Sequence, residues 1–184
     1  MVDGKEKEPA QRSEELVIKA LHLGDWDARV IGWFARNGIT MMRLALGIIF
    51  CWFGVQKYFP GLSPAEGLAG QTILTLTFGR LHPAQSLPIL ATWECAIGLG
   101  LLSGRMPRLT FILLFGQMMG TALPLFFFPA ETWAHFPYAP TMEGQYIIKN
   151  MVLVTSAMVV GATARGGRLV ANARAARLAE RAEP

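Results

Sequence analysis

A chain of 184 residues that is 52% hydrophobic, with a mean hydropathy of +0.35, has room for one domain, and its apolar residues fall in long blocks unlike those of a soluble protein. Its formal charge of +4 is uneven, with Lys and Arg gathered before residue 38, in the 103–108 turn and after residue 164. Only two cysteines are present, with no CxxC pair and no Cys/His run, which excludes a dedicated zinc or iron–sulfur site.

Residues 1–12 are polar and read as disordered, and no short apolar core with a small-residue cleavage site marks a signal peptide, so the first span is expected to serve as an uncleaved signal anchor. Ser13 followed by Glu14, Glu15 and LVIKALHL predicts a capped short helix. A second is expected after Gly24, capped by Asp25 and ended by Asn37-Gly38. Val30, Ile31, Trp33 and Phe34 would form its apolar face, with Arg29 and Arg36 reaching water or lipid phosphate. Residues 1–38 thus read as an amphipathic cytoplasmic segment on the membrane surface, or as a soluble helix packed on the protein's own loops.

Ile39 to Phe59 is mostly apolar and, as a helix, rises about 30 Å, enough to cross a hydrocarbon core. After it, Ser63-Pro64-Ala65-Glu66 reads as a capping box, predicting an interfacial helix over Pro64–Phe78 that is ended by Gly79, Arg80 and His82-Pro83. A second span is predicted over Leu87–Ser103 with Ser86 as its cap, and a third over Leu109–Phe128, joined to it by the tight GRMPR turn. Pro124 is expected to kink the third span. Pro129 to Gln145, with three prolines and Trp133, Phe136 and Tyr138, reads as an ordered loop at the lipid interface. The fourth span is predicted from Tyr146 to Thr163. Residues 164–184 form a basic tail in which Arg174, Arg177 and Arg181 share a helical face, suited to anionic lipid or to plain solvation and not to nucleic acid. The 129–145 loop holds no Lys or Arg and the 60–86 loop only Arg80, against two in 104–108 and five after 164. Both termini are therefore expected in the cytoplasm, with the chain multi-pass in the cell (inner) membrane.

An unpaired charge at mid-bilayer costs at least about 3 kcal/mol, so each ionisable residue within a span must be paired, snorkelling or functional. Arg43, one turn from the cytoplasmic end, is assigned to inner-leaflet headgroups. Glu94 lies about 10 Å deep in the second span and Lys149 about 5 to 7 Å into the fourth from the same side, so the two are expected to pair. Lys57, near the outer end of the first span, would either snorkel to the headgroups or reach inward to join them, with Trp93, Gln117 and Asn150 as further polar candidates. Such a cluster of Lys57, Trp93, Glu94, Gln117, Lys149 and Asn150 is either a structural ion-pair network or a site for an anionic or quinone-like ligand. Cys51 and Cys95 fall at a shared depth of about 12 Å in antiparallel spans, where a disulfide is conceivable, but they read as packing residues rather than as a redox pair.

RLALGIIFCWFGVQKYF (Arg43–Phe59), WECAIGLGLL (Trp93–Leu102) and the GQYIIKN opening of the last span resemble the DoxX-like membrane family over residues 38–163. Within it, the chain looks nearest to the reactive chlorine resistance membrane protein branch, with its arginine, glycine and lysine in the first span, proline-rich outer loop and lysine opening the fourth. The resemblance implies an all-α, four-helix transmembrane bundle, here with flanking amphipathic interfacial helices, in which Arg43, Lys57, Glu94 and Lys149 match the family pattern. It also implies roles as varied as quinone-linked sulfur oxidation, redox-stress partnership and receptor assembly. The expected function is a membrane component of an oxidant-defence or quinone-linked redox system, binding a small ligand in an outer-half polar pocket. The alternative is a non-catalytic scaffold or assembly factor. No nucleophile–base pair, dinucleotide fingerprint or metal spacing supports independent catalysis. Any electron carrier would be a diffusible quinone, not a covalently bound group, or would come from a redox partner subunit; a homo-oligomer is the other expected assembly.

Overall fold

The computed structural model describes residues 7–64, 66–164 and 167. The expected basic tail, with Arg165, Arg168, Arg174, Arg177 and Arg181, lies outside the described residues, as do the side chains of the predicted caps Ser13 and Asp25. By internal contacts the chain divides into two units, Met1–Ile39 and Thr40–Pro184, with the boundary inside the first helix, α1 (Lys7–Gln56).

In the first unit the backbone is helical without the interruptions expected at Gly24 and Asn37-Gly38. Asn37 does not cap: its side-chain amide donates to the Trp33 carbonyl one turn back, at 3.0 Å, and so is satisfied within the helix. A glycine in a helix interior costs only about 1 kcal/mol relative to alanine, too little to stop a helix that propagates cooperatively. Two short surface helices are therefore replaced by one helical run.

In the second unit, α2 (Glu66–Leu76) follows a turn in which the Glu66 carboxylate accepts from the Gly61 N–H at 2.7 Å. The acid thus reaches past Ser63, where the capping box had placed it, because Gly61 with φ of 78° folds the loop back over the helix start. The next helix, α3 (Pro83–Ser103), begins a turn earlier than predicted. Pro83 has no N–H to leave unsatisfied and sits at the first helical position after an extended His82, so His82-Pro83 opens α3 instead of closing α2, and Ser86 falls inside the helix.

Gly104, at φ of 64°, ends α3 in the left-handed conformation with its N–H on the Gly100 carbonyl, and Pro107 starts α4 (Pro107–Ala122) at once. Helicity lapses at Leu123, ahead of the donorless Pro124, and resumes as α5 (Pro124–Phe127). The predicted interfacial loop contains α6 (Pro129–Thr132) and a small antiparallel hairpin, β1 (Trp133–His135) with β2 (Ala139–Pro140), closed through a cis Phe136–Pro137 bond. Helix α7 (Met142–Thr163) starts from Thr141, whose hydroxyl accepts from the Gly144 N–H.

Among the described residues, four segments are long and apolar enough to cross a membrane: Trp26–Gln56, Pro83–Ser103, Pro107–Phe127 and Met142–Thr163. Many of the side chains they turn outward are large and apolar, including Ile112 at 69% and Met119 at 75% exposure, an arrangement suited to lipid and unfavourable in water. The interior is thin, built on Leu46, Phe50, Ala91, Ile97, Leu101, Leu114, Ala157 and Val160. Small residues let the helices close around it. A Cβ at Gly100 would collide with Thr110, tying α3 to α4, and one at Gly161 would sit 3.4 Å from the Phe111 ring, tying α4 to α7. The protein is an all-α, four-helix transmembrane bundle. α2 packs on α3 and α5, and α6 on α7, capping one end; the Gly104–Met106 turn marks the other.

Candidate functional site

Helix α1 ends at Gln56, and the turn that follows brings Lys57 and Tyr58 against α3. Lys57 Nζ lies 2.7 Å from Glu94 Oε2, with the two side chains only 8% and 10% exposed. Alongside, the hydroxyls of Tyr58 and Thr92 are 2.7 Å apart, so two successive residues of the turn clasp one turn of α3. The second carboxylate oxygen is also occupied: Gln117 Nε2, from α4, donates to Glu94 Oε1 at 2.8 Å. Glu94 therefore joins the first, second and third spans through charge-assisted hydrogen bonds, the strong kind.

Lys57 Nζ also donates to the Phe53 carbonyl at 3.4 Å. An ammonium has three donors, so this bond and the one to Glu94 leave one over. Next to it in the chain, Gln56 Oε1 is buried with no hydrogen-bond partner among the described residues, and Ser86 Oγ on α3 is another such atom. Buried polar atoms are nearly always satisfied, and each orphan calls for an explanation. Sequence reasoning passed over Gln56, Tyr58 and Thr92, and took Ser86 only as a helix cap. A polar pair at the mouth of an apolar span, Gln56 beside Lys57, was the available signal.

The remaining expected members stand apart. Trp93 donates its indole N–H to the Leu113 carbonyl at 3.0 Å and packs on Gly116, so it fastens α3 to α4 on the flank of the site. Lys149 does not pair with Glu94 as expected; it is exposed, with Nζ 5.5 Å from the centre of the Tyr146 ring one turn earlier on α7. The aromatic face supplies the cation with a local partner and holds it at the helix surface. Asn150 is half-buried and takes no part in the Glu94 network. Arg43 is placed at the far end, its guanidinium against the Gly104 turn, where a Cβ on Gly104 would collide with it. Among the described residues, Lys57–Glu94 is the one salt bridge, and no group of three His, Cys, Asp or Glu is placed to hold a metal.

Below the ion pair, α1 and α3 come into backbone contact. Gly47, Cys51 and Gly54 on α1 meet Ala91, Cys95, Gly98 and Leu102 on α3 in antiparallel register: a Cβ on Gly54 would lie 3.1 Å from the Ala91 carbonyl oxygen, and one on Gly47 would lie 3.1 Å from that of Gly98. Each cysteine sulfur is 4.0 Å from the other cysteine's carbonyl oxygen, and both thiols are free. This seam sets the spacing of the helices that carry Lys57 and Glu94.

Compared with known families, residues 38–129 match the DoxX family model. That stretch includes Arg43, Lys57, Glu94 and Gln117, and ends before Lys149 and Asn150. No match was found among curated proteins or among solved structures.

Proposed function

Since this chain belongs to the DoxX family, a family of membrane proteins, we propose that it is the membrane component of an oxidant-defence or quinone-linked redox system and binds a small ligand beside Lys57 and Glu94. The observation that carries this reading is the incomplete saturation of the pair: an almost fully buried ammonium with a donor to spare, next in the chain to a buried glutamine oxygen without a donor. A quinone and its quinol meet these two needs in turn, the oxidised form with a carbonyl oxygen as acceptor and the reduced form with a hydroxyl as donor. Lys57 would give a hydrogen bond to the carbonyl, and Gln56 would take one from the hydroxyl. In a dry site such bonds also fix orientation, while the electrons come from a partner subunit or a diffusible donor.

The same proposal sets the topology. Both termini are cytoplasmic in the inner membrane, Arg43 and the Gly104 turn lie at inner-leaflet headgroups, and the hairpin end with the ion pair faces outward, following the Lys and Arg distribution among the loops. Lys149 and Asn150 line the outer approach to the ligand rather than its binding point.

The test is to extract the full chain from its own membranes in a polymer nanodisc and analyse it by native mass spectrometry. A bound quinone that is lost in Lys57→Met, together with hypochlorite, peroxide and electrophile sensitivity in a deletion strain, is the expected result. Protein that carries only phospholipid, from a strain whose deletion has no such sensitivity, moves the assignment to a scaffold. That second reading is favoured by one fact: both oxygens of Glu94 are already satisfied by protein groups.

A further inference from the structure

The cysteine pair is untouched by the ion-pair site, and its reading stands whether or not a ligand binds there. At the α1–α3 seam an added Cβ on Gly98 would lie 2.7 Å from the Cys51 nitrogen, and one on Gly54 would lie 3.0 Å from the Cys95 nitrogen. The two glycines remove the side chains that would hold these helices apart at the level of the cysteines. Such backbone contact is what a disulfide requires, since its Cα atoms sit no more than about 7 Å apart. Each sulfur already lies over the other residue's backbone, 4.0 Å from its carbonyl oxygen. Both residues are half-buried at the edge of the seam, within reach of a small uncharged solute dissolved in the bilayer.

We propose that Cys51 and Cys95 are a modification site, converted to a reversible intramolecular disulfide by small, uncharged hydroperoxides. In the first step one sulfur, giving up its proton, attacks the terminal peroxide oxygen; the O–O bond breaks, and the alcohol leaves carrying that proton. The product is a sulfenic acid. The second sulfur then attacks the sulfenic sulfur, the S–O bond breaks, and hydroxide leaves as water with the second thiol proton. Two thiols lose two electrons in all, and the peroxide bond takes both. The new bond staples α1 to α3 one residue from Glu94, so oxidation fixes the spacing between the helices that bear the ion pair.

The chain has only these two cysteines, which makes the readout unambiguous. Full-length protein in lipid nanodiscs is treated with tert-butyl hydroperoxide, denatured in maleimide and weighed intact. The expected product is a monomer lighter by two hydrogens, with neither thiol alkylated, that regains both thiols after dithiothreitol. Cys51→Ala and Cys95→Ala should instead carry an oxygen adduct or a maleimide on the remaining sulfur. Wild-type thiols that stay alkylatable, that stop at oxygen adducts, or that link two chains overturn the proposal.

Discussion

Lys57 and Glu94 meet at 2.7 Å with no more than 10% of either side chain exposed, although one stands just past the end of its helix and the other near the middle of its own. Removing one partner leaves the other charged and buried without its counter-ion, at a cost of about 3–5 kcal/mol, whereas removing both leaves no uncompensated charge. Glu94→Gln and Lys57→Met should each lower the thermal midpoint in nanodiscs strongly. The double variant should recover much of the loss. A double variant as unstable as the sum of the singles would show that the two charges are not coupled.

Lys149 supplies the contrast. It lies over Tyr146 and away from Glu94, so Lys149→Met should change stability by no more than about 0.5 kcal/mol. The same double-mutant cycle run between Glu94 and Lys149 should show no coupling. A coupling as large as that of Lys57 with Glu94 would place the lysine in the network after all.

How far the sequence reveals this site depends on the kind of signal. Charge in otherwise apolar spans singled out Glu94 as needing a partner, with Lys149 as the expected one and Lys57 nearby. Which lysine pairs with Glu94 was not legible: depth follows from counting residues, but the rotation of α7 about its axis does not, since that helix is apolar nearly all round. The caps were misplaced for a related reason. His82-Pro83 serves equally as a stop and as a start, and only the packing of α2 on α3 decides. The hairpin at Trp133–Pro140 was hidden within a proline- and aromatic-rich segment whose strands are too short for any alternation to register.

The α1–α3 seam makes a graded prediction about glycine. Gly54→Ala and Gly98→Ala push a methyl group into facing backbone and should each destabilise by about 1–3 kcal/mol. Gly38→Ala meets nothing within 4 Å and sits in a helix interior, so it should be neutral or stabilising by up to about 1 kcal/mol. Thermal unfolding of the three variants, followed by far-ultraviolet circular dichroism, checks the order.

At the hairpin end, Gly144 presses against the Thr132 carbonyl so closely that a Cβ there would collide with it, while Thr141 caps α7 through the Gly144 N–H. Thr141→Ala should cost about 1 kcal/mol, the usual value of a helix cap. Gly144→Ala should cost more and should raise proteolysis within residues 129–140. Equal protease resistance in both variants would mean that the hairpin does not depend on this contact.

Only Gly104, Arg105 and Met106 separate α3 from α4, too few residues to let either helix enter the bilayer while its neighbour waits in the translocation channel. Two spans joined so tightly are expected to insert together, as one helical hairpin, during synthesis. Glu94 then arrives in the hydrocarbon with Gln117 already opposite it, and its carboxylate meets a donor before it ever meets lipid. The ammonium of Lys57, delivered earlier by the first span, completes a half-built receptor instead of rescuing a stranded charge.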